Sequence, residues 1–197
     1  MGHRAAGTWG DPDGGLIPGS TPSQTVGPFF AFGLPFEGGE RLVDDGGFWI
    51  EGAVYDGAGD PVGDALVEIW QANRHGRYRH PEDTREELPL EDGFIGFGRC
   101  ATDESGRFRF YTVKPGATPP HAPHIGVIVH ARGLLQHLFT RIYFPDEPSA
   151  NAGDPLLASI DDASVRDTLI AQPGGTISGL RFDIHLQGER QTAFLDV

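Results

Sequence analysis

The sequence has almost no cysteine and no long apolar run. Cys100 is the single cysteine among 197 residues, so an intramolecular disulfide is excluded. The N-terminal residues contain no apolar stretch of the kind that a secretory signal or a membrane-spanning helix needs. We therefore expect a cytoplasmic protein that folds around an ordinary hydrophobic core, which a chain of this length is able to bury.

Basic residues are also scarce. There are 15 lysines and arginines against 28 aspartates and glutamates, which gives a formal net charge of -13. Such a charge repels phosphate backbones and anionic membrane surfaces, so neither nucleic acid nor a membrane is an expected partner. An anionic substrate would meet an unfavourable overall field, and a site for one should therefore hold a locally placed arginine.

The N-terminal part of the chain has no regular hydrophobic pattern. Residues 1–20 have too few sizeable apolar groups to form a core, so we expect a flexible extension there. An irregular stretch continues to about Gly47 and includes the apolar run Gly27 to Phe30. Aromatic residues on such an arm usually lie against a surface, either of the same domain or of a neighbour. We expect one domain at 21–197, in which the arm at 21–47 docks on a partner.

From Phe48 onward the hydrophobic pattern has a period of two, which is typical of β-strands. The predicted strands are Phe48–Asp56, Ala65–Gln71, Arg107–Val113, Gly126–Ala131, His137–Phe144 and Leu180–Gln187. Trp70, Phe108 and Phe110 alternate within them and are predicted to pack in the core. Short strands separated by glycine and proline favour an all-β fold, namely an antiparallel β-sandwich with one short helix.

The helix is predicted at Pro155–Gln172, with Asp161 or Asp162 as its N-cap. Two connections, 73–94 and 116–123, are too long for hairpin turns and are therefore the natural places for function. The charged run Glu82–Glu87 within the first connection is predicted to be a solvated surface.

Several short motifs occur together in the order and at the spacing of one known family. They are TPSQTVGPF at 21–29, EIWQAN at 68–73, GRY at 76–78, GFGR at 96–99, VKPG at 113–116, APHI at 122–125 and TRIYF at 140–144. With these motifs the chain resembles the intradiol ring-cleaving dioxygenases from about Thr21 to its C-terminus. The resemblance implies a sandwich with a transthyretin-like core and an oxidoreductase that opens catechol rings with O2 in aromatic catabolism.

The resemblance also implies where a metal would be held. The family's catalytic chains bind ferric iron through two tyrosines and two histidines, because Fe(III) is a hard ion and a His-x-His pair on a strand projects both rings from one face. Tyr78 and His124 stand at the first tyrosine and the first histidine position. Thr118 and Gly126 stand at the other two, and neither supplies a suitable ligand. We interpret Tyr78 and His124 as relics and expect this chain to hold no metal.

The missing ligands, together with the segment His130-Ala131-Arg132-Gly133, resemble the non-catalytic α chain of the family's two-chain enzymes. That resemblance implies a β chain that binds Fe(3+) and a shared pocket that cleaves protocatechuate to 3-carboxy-cis,cis-muconate. Arg132 would face the substrate carboxylate; the alternative is a surface arginine paired with an aspartate. Thr25, Gly27 and Pro28 would line the pocket, or would only dock the arm.

The residues are also compatible with two other functions. Residues 50–116 also resemble small transthyretin-like binding modules without catalytic activity, although the TPSQT arm and the C-terminal half argue against a module of that kind. A self-sufficient iron dioxygenase would need further ligands. His121 is close to His124 in sequence, but the surrounding prolines give no geometric argument that the two rings converge.

Overall fold

The computed structural model of the chain describes residues 24–175 and 179–196. The predicted extension at 1–20 and the first arm residues, 21–23, lie outside the described residues. The described part folds into two β-sheets packed face to face, with short helices around them, and so confirms the predicted β-sandwich.

The first sheet is built around the long strand β1 (Phe48–Tyr55). Its other strands are β4 (Arg107–Thr112), β7 (Gln172–Pro173), β8 (Gly179–Arg181) and β9 (Ile184–His185). β4 is antiparallel to β1, whereas β8 and β9 are parallel to it, so this sheet is mixed rather than purely antiparallel. The predicted strand Leu180–Gln187 is broken where the Asp183 carboxylate accepts the Ala53 N–H at 3.1 Å, in place of a backbone carbonyl.

The second sheet is antiparallel throughout and has the strand order β3-β2-β5-β6. Its strands are β2 (Leu66–Trp70), β3 (Phe97–Ala101), β5 (His124–His130) and β6 (Leu138–Tyr143). The sequence pattern missed β3 because Gly98 takes an inward position. A Cβ there would lie 2.6 Å from a Leu42 methyl, so no larger apolar residue fits to reveal the alternation.

The core lies between the two sheets and is built from the inward-facing residues of both. Its members include Ile50, Val54, Val67, Ile69, Phe108, Phe110, Ile125, Val127, Val129, Ile142, Phe144, Phe182 and Ile184. Burial of Phe108 and Phe110 was predicted and is confirmed. The prediction for Trp70 is wrong, because its side chain is 37% exposed on the outer face of the second sheet.

Four short helices occur in the described part of the chain, where one was predicted. They are α1 (Phe30–Gly33), α2 (Pro148–Gly153), α3 (Pro155–Ala158) and α4 (Ala163–Asp167). The predicted helix Pro155–Gln172 is therefore divided into α3 and α4. Asp162 caps α4, as one of the two predicted candidates, and its carboxylate competes with the helical backbone at the break. No helix of the described residues is both long and apolar enough to cross a bilayer.

Strand β5 positions both candidate regions. His124, Gly126, Ile128 and His130 project from the outer face of the second sheet, since alternate residues of a strand share a face. The connections 73–94 and 116–123 lie over the His124 end of β5, and the arm lies over the His130 end.

Candidate functional site

The first region, which we call the relic cleft, comprises Tyr78, Thr118, His124 and Gly126. Tyr78 stacks on Trp70, with ring centroids 5.9 Å apart and an interplanar angle of 13°. Its hydroxyl faces the Thr118 side chain, and its N–H donates to Asp83 Oδ2 at 2.7 Å. Burial raises the pKa of the Tyr78 hydroxyl, so Tyr78 is a neutral phenol near pH 7.

His124 is buried and fixed in one orientation. Its Nδ1–H donates to Ala122 O at 2.8 Å, because a carbonyl oxygen only accepts, and Nε2 is left as an acceptor. Burial lowers the pKa of His124 to about 4. The imidazole is therefore uncharged at neutral pH and packs against the rings of Tyr143 and His121.

Behind His124 lies the fully buried carboxylate of Asp154, which the sequence reasoning missed. Asp154 Oδ2 is 3.2 Å from His121 Nδ1, and Oδ1 is 3.2 Å from the Tyr143 hydroxyl. Burial opposes ionisation of Asp154, but backbone N–H donors, including those of Ala122 and Leu157, outweigh it and lower its pKa. In the sequence, Asp154 stands directly before the proline that begins α3, and this position could have identified it as a helix N-cap. His121 and His124 do converge, with ring centroids 5.6 Å apart.

Gly126 and Arg141 occupy the floor of the relic cleft. They are direct cross-strand partners, and Gly126 is also the partner of Trp70. A Cβ at Gly126 would lie 3.4 Å from Trp70 O and 3.5 Å from the Phe139 ring, which is ordinary van der Waals contact, so a Cβ fits at this glycine without a clash. Arg141 Nη1 donates to the Tyr143 hydroxyl at 3.3 Å, and its buried Nε has no partner among the described residues.

The relic cleft does not fit ferric iron. It offers one phenol whose pKa is raised and one imidazole, while Thr118 and Gly126 add no suitable donor. The guanidinium of Arg141 also acts on both Tyr78 and His124, and a cation at this place opposes a second one. Over residues 24–175 and 179–196, no group of three or more histidine, cysteine, aspartate or glutamate side chains is placed to hold a metal.

The charged run Glu82–Glu87 is not the purely solvated surface that was predicted. Asp83 is largely buried, receives the Tyr78 N–H and forms an ion pair with Arg85 at 2.6 Å. The guanidinium of Arg85 holds the pKa of the Asp83 carboxyl well below its usual range. The Asp83–Arg85 pair therefore helps to hold Tyr78 over the sheet.

The second region, which we call the arm edge, comprises Thr25, Gly27, Pro28 and Arg132. The arm is paired with the loop that follows β5, because the Val26 N–H donates to Leu134 O at 2.9 Å. This pairing places the segment 25–28 beside residues 132–134, so the four residues that the family resemblance assigned to substrate lie on neighbouring segments. Arg132 Nε lies 3.2 Å from Asp64 Oδ2 and its side chain is 65% exposed, so the surface ion pair named as the alternative is present.

A buried carboxylate ties the arm to the sheet at two points. Glu68 Oε1 accepts Arg99 Nε at 2.7 Å, and Arg99 Nη1 in turn donates to Leu34 O at 3.0 Å. Glu68 Oε2 lies 3.7 Å from His130 Nε2. The His130 ring in turn packs near the Phe30 ring, with the ring centroids 6.2 Å apart. Sequence reasoning missed this network, although a glutamate within an otherwise apolar strand was a usable signal.

The anchored arm exposes aromatic side chains rather than burying them. Phe29 is 74% exposed, Phe32 71% and Phe36 52%. Phe29 and Phe32 contact each other edge to face at 5.5 Å, one turn apart at α1. Large apolar groups clustered in this way on a fixed segment are typical of a protein interface.

Comparisons with known proteins identify a family and several relatives of this chain. Residues 37–188 match the family model described as Dioxygenase. The chain is 40% identical to the protocatechuate 3,4-dioxygenase alpha chain of Pseudomonas putida, over 92% of this chain and 98% of that one. It is 42% identical to the alpha chain from Burkholderia cepacia, over 90% of this chain and 97% of that one.

A beta chain and a solved structure are also similar. Identity to the protocatechuate 3,4-dioxygenase beta chain of Burkholderia cepacia is 40%, over 78% of this chain and 67% of that one. The dioxygenase domain of a carbohydrate-binding fusion protein from Streptomyces sp. SirexAA-E superposes with a TM-score of 0.57 and 28% identity, over 76% of this chain and 87% of that one. The chain therefore belongs to the intradiol dioxygenase family.

Proposed function

We propose that this chain is the non-catalytic α subunit of a protocatechuate 3,4-dioxygenase and works with a β chain that binds ferric iron. The observation that carries the proposal is the contrast between the two regions: the relic cleft keeps two of four ligand positions, whereas the arm edge is assembled and exposed. The extended similarity to two alpha chains supports it. The family match at 37–188 reaches far beyond the segment 50–116 that resembles binding modules, which argues against that alternative.

The proposed reaction is the cleavage of protocatechuate by O2 between its hydroxylated carbons to give 3-carboxy-cis,cis-muconate. The ferric iron of the β chain supplies the activation of the catechol toward O2. Arg132 of this chain binds the substrate carboxylate, exchanging its exposed contact with Asp64 for a charge-assisted pair in the closed pocket. Thr25, Gly27 and Pro28 form the adjoining wall and leave room for the ring.

The partner surface is the arm at 21–47, within the proposed domain at 21–197. Phe32 and Phe36 supply exposed apolar area, and Phe29 adds a ring without a hydroxyl, so no polar contact to substrate is assigned to it. The network from Glu68 through Arg99 to Leu34 holds this surface in place before the β chain arrives. We place the assembled enzyme in the cytoplasm.

The test is to purify the full chain alone, its β chain alone, and the two together. We expect the chain alone to be colourless and inactive on protocatechuate, and the mixture to carry iron, a visible ferric colour and full activity. The β chain alone is the control for a contribution from this chain. Stoichiometric iron and activity in this chain by itself would contradict the proposal, as would a β chain whose activity and oligomeric state do not change on mixing.

A further inference from the structure

The guanidinium of Arg132 at the arm edge already has a carboxylate beside it. Arg132 Nε lies 3.2 Å from Asp64 Oδ2, and no other carboxylate of the described residues lies within ion-pair distance of this arginine. Glu68 is engaged elsewhere, because it forms an ion pair with Arg99. A ligand carboxylate that approaches Arg132 therefore meets the negative charge of Asp64.

The register of the second sheet accounts for this pair. Leu66 on β2 and His130 on β5 are partners in an antiparallel pair of strands. Asp64 stands two residues before Leu66, and Arg132 stands two residues after His130, so the continued register sets the two opposite each other. Opposite charges at facing positions attract, and the fold therefore keeps the carboxylate within reach of the guanidinium.

The backbone around Asp64 is fixed by the buried side chain of Thr102. The Thr102 hydroxyl donates to Val62 O at 2.8 Å and accepts the Ala65 N–H at 3.0 Å. The Thr102 N–H also donates to Ala65 O at 2.9 Å. Because Asp64 lies between these two anchored residues, its carboxylate stays at the sheet when Arg132 changes its contacts.

Arg132 is held less firmly than Asp64. It is the second residue of a turn that the Leu134 N–H closes by donating to Ala131 O at 3.2 Å, and Gly133 follows it with a φ of +95°. The Arg132 side chain is 65% exposed, against 30% for that of Asp64. An exposed ion pair is weak, so the guanidinium is able to turn toward a second carboxylate.

We propose that Asp64 is a specificity-determining residue, which acts through Arg132 as an internal competitor of the substrate carboxylate. It occupies the guanidinium until it is displaced by an acid whose ring is also held in the shared pocket, and simple carboxylates are thereby excluded. The inference rests on the proposed function, because it takes Arg132 as the residue that binds the substrate carboxylate. It deepens that function by naming a residue that sets the selectivity of the site.

The first test uses the two-chain enzyme with Asp64→Asn, which removes the charge and keeps the size of the side chain. We expect KM for protocatechuate to fall about three- to fivefold, near the upper end of what an exposed ion pair contributes, with kcat within about twofold. Inhibition by acetate should strengthen by about the same factor. KM for catechol, which has no carboxylate, should stay within about twofold.

Matched variants separate competition from other roles, and each is checked for folding by circular dichroism. Asp64→Glu keeps the charge and should leave KM within about twofold of the wild type. Asp60→Asn removes an exposed carboxylate four residues away and should change neither KM nor acetate inhibition. In an Arg132→Ala background, Asp64→Asn should lose its effect, because the guanidinium for which it competes is absent.

Three kinetic outcomes would overturn the inference. A rise in KM for protocatechuate with Asp64→Asn would mean that Asp64 supports Arg132 rather than competing with substrate. An unchanged KM would mean that the pair is irrelevant to binding. An effect that persists in full in the Arg132→Ala background would mean that Asp64 does not act through Arg132.

A second readout uses the full chain alone and needs no activity. The NMR signal of the Arg132 Nε–H should shift on Asp64→Asn. In that variant the signal should respond to acetate at a concentration about three- to fivefold lower than in the wild type. The same acetate response in both chains would count against any competition by Asp64 and would overturn the inference.

Failure of the proposed function is distinguishable from failure of this inference. If mixing with the β chain gives no activity, the proposed function fails, and the acetate titration of Arg132 still decides whether Asp64 competes. If the mixed enzyme is active and Arg132→Ala raises KM for protocatechuate while Asp64→Asn leaves it unchanged, only the inference about Asp64 fails.

Discussion

The outer face of the second sheet is enclosed at one end of strand β5 and exposed at the other. At one end His124 is enclosed, uncharged and hydrogen-bonded to its own backbone, within a cleft that cannot complete a metal site. At the other end His130 lies beneath an arm that presents exposed rings and an exposed arginine, about 20 Å away. The framework of the cleft is held by packing and by hydrogen bonds that involve Asp83, Ala122 and Asp154.

The largest effect is expected when the missing ligand types are introduced at the His124 end of β5, with Thr118→Tyr and Gly126→His together. A Cβ at Gly126 makes only ordinary contact with Trp70 O and the Phe139 ring, and four ligands replace two. We expect iron loading to rise from near zero to about one ferric ion per chain, with a visible tyrosinate band. Iron analysis and absorption spectra measure this outcome.

The matched control adds Tyr78→Phe to the double variant, which should abolish most of the band. An iron-loaded wild type would show that the cleft was never incomplete. A folded double variant without iron would show that the relic framework has moved too far to be restored.

A second prediction concerns the His130 end of β5, where Arg132 is exposed. Arg132→Ala in the two-chain enzyme should raise KM for protocatechuate about 30- to 100-fold, because a charge-assisted pair with the carboxylate is lost. KM for catechol, which has no carboxylate, should stay within about twofold. Steady-state kinetics on both substrates check this, with Arg107→Ala as the control. An equal rise for the two substrates would show that Arg132 does not bind the carboxylate.

A third prediction concerns the His124 end of β5 and the pH dependence of the free energy of unfolding. The folded-state pKa of His124, about 4, lies below its ordinary value of 6.5, so the unfolded chain takes up the proton first. The stability contributed by His124 is therefore present above pH 6.5 and is lost as pH falls toward 4. The loss should be about 2–3 kcal/mol for this residue.

Urea unfolding at several pH values between 4 and 7 measures that loss. His124→Gln should flatten the curve over this window by the same amount, whereas His75→Gln, at an exposed position, should leave it unchanged. A wild type and a His124→Gln variant with parallel curves would mean that burial does not hold this imidazole neutral.

The smallest predicted effect lies in the link between sheet and arm. Glu68→Gln should lower the free energy of unfolding by about 1–2 kcal/mol, because Arg99 keeps its position but loses its charged partner. Amide exchange at Val26 and Leu34 should accelerate more than exchange in β1. Asp146→Asn removes a carboxylate that is 68% exposed and should cost less than about 0.5 kcal/mol. Unchanged exchange in the arm would show that Glu68 does not anchor it.

Much of the fold was predictable because period-two patterns survive in most strands. Phe108, Phe110, Phe182 and Ile184 alternate as expected and are buried. β3 was not predictable, because a glycine fills its inward position. The prediction that Trp70 is buried was wrong because an aromatic residue on the outer face of a strand looks the same in sequence as one on the inner face.

The site was predictable only in part, for a similar reason. Motif order pointed to Tyr78, His124, Thr25 and Arg132, and the roles assigned to them stay predictions. Asp154 and Glu68 were missed because their partners lie far away in sequence, and only the folded chain brings them together. Local patterns report helix caps and strand faces, but they do not report which distant donor a buried carboxylate meets.

The parallel pairing of β8 and β9 with β1 has a consequence for synthesis on the ribosome. β1 is made early, yet one of its two edges stays without its native neighbour until residues 179–185 have emerged. An unpaired central strand is open to pairing with the wrong chain, and a pairing so distant in sequence forms slowly. Nascent chains of this protein should therefore depend on chaperones late in translation, long after the second sheet is complete.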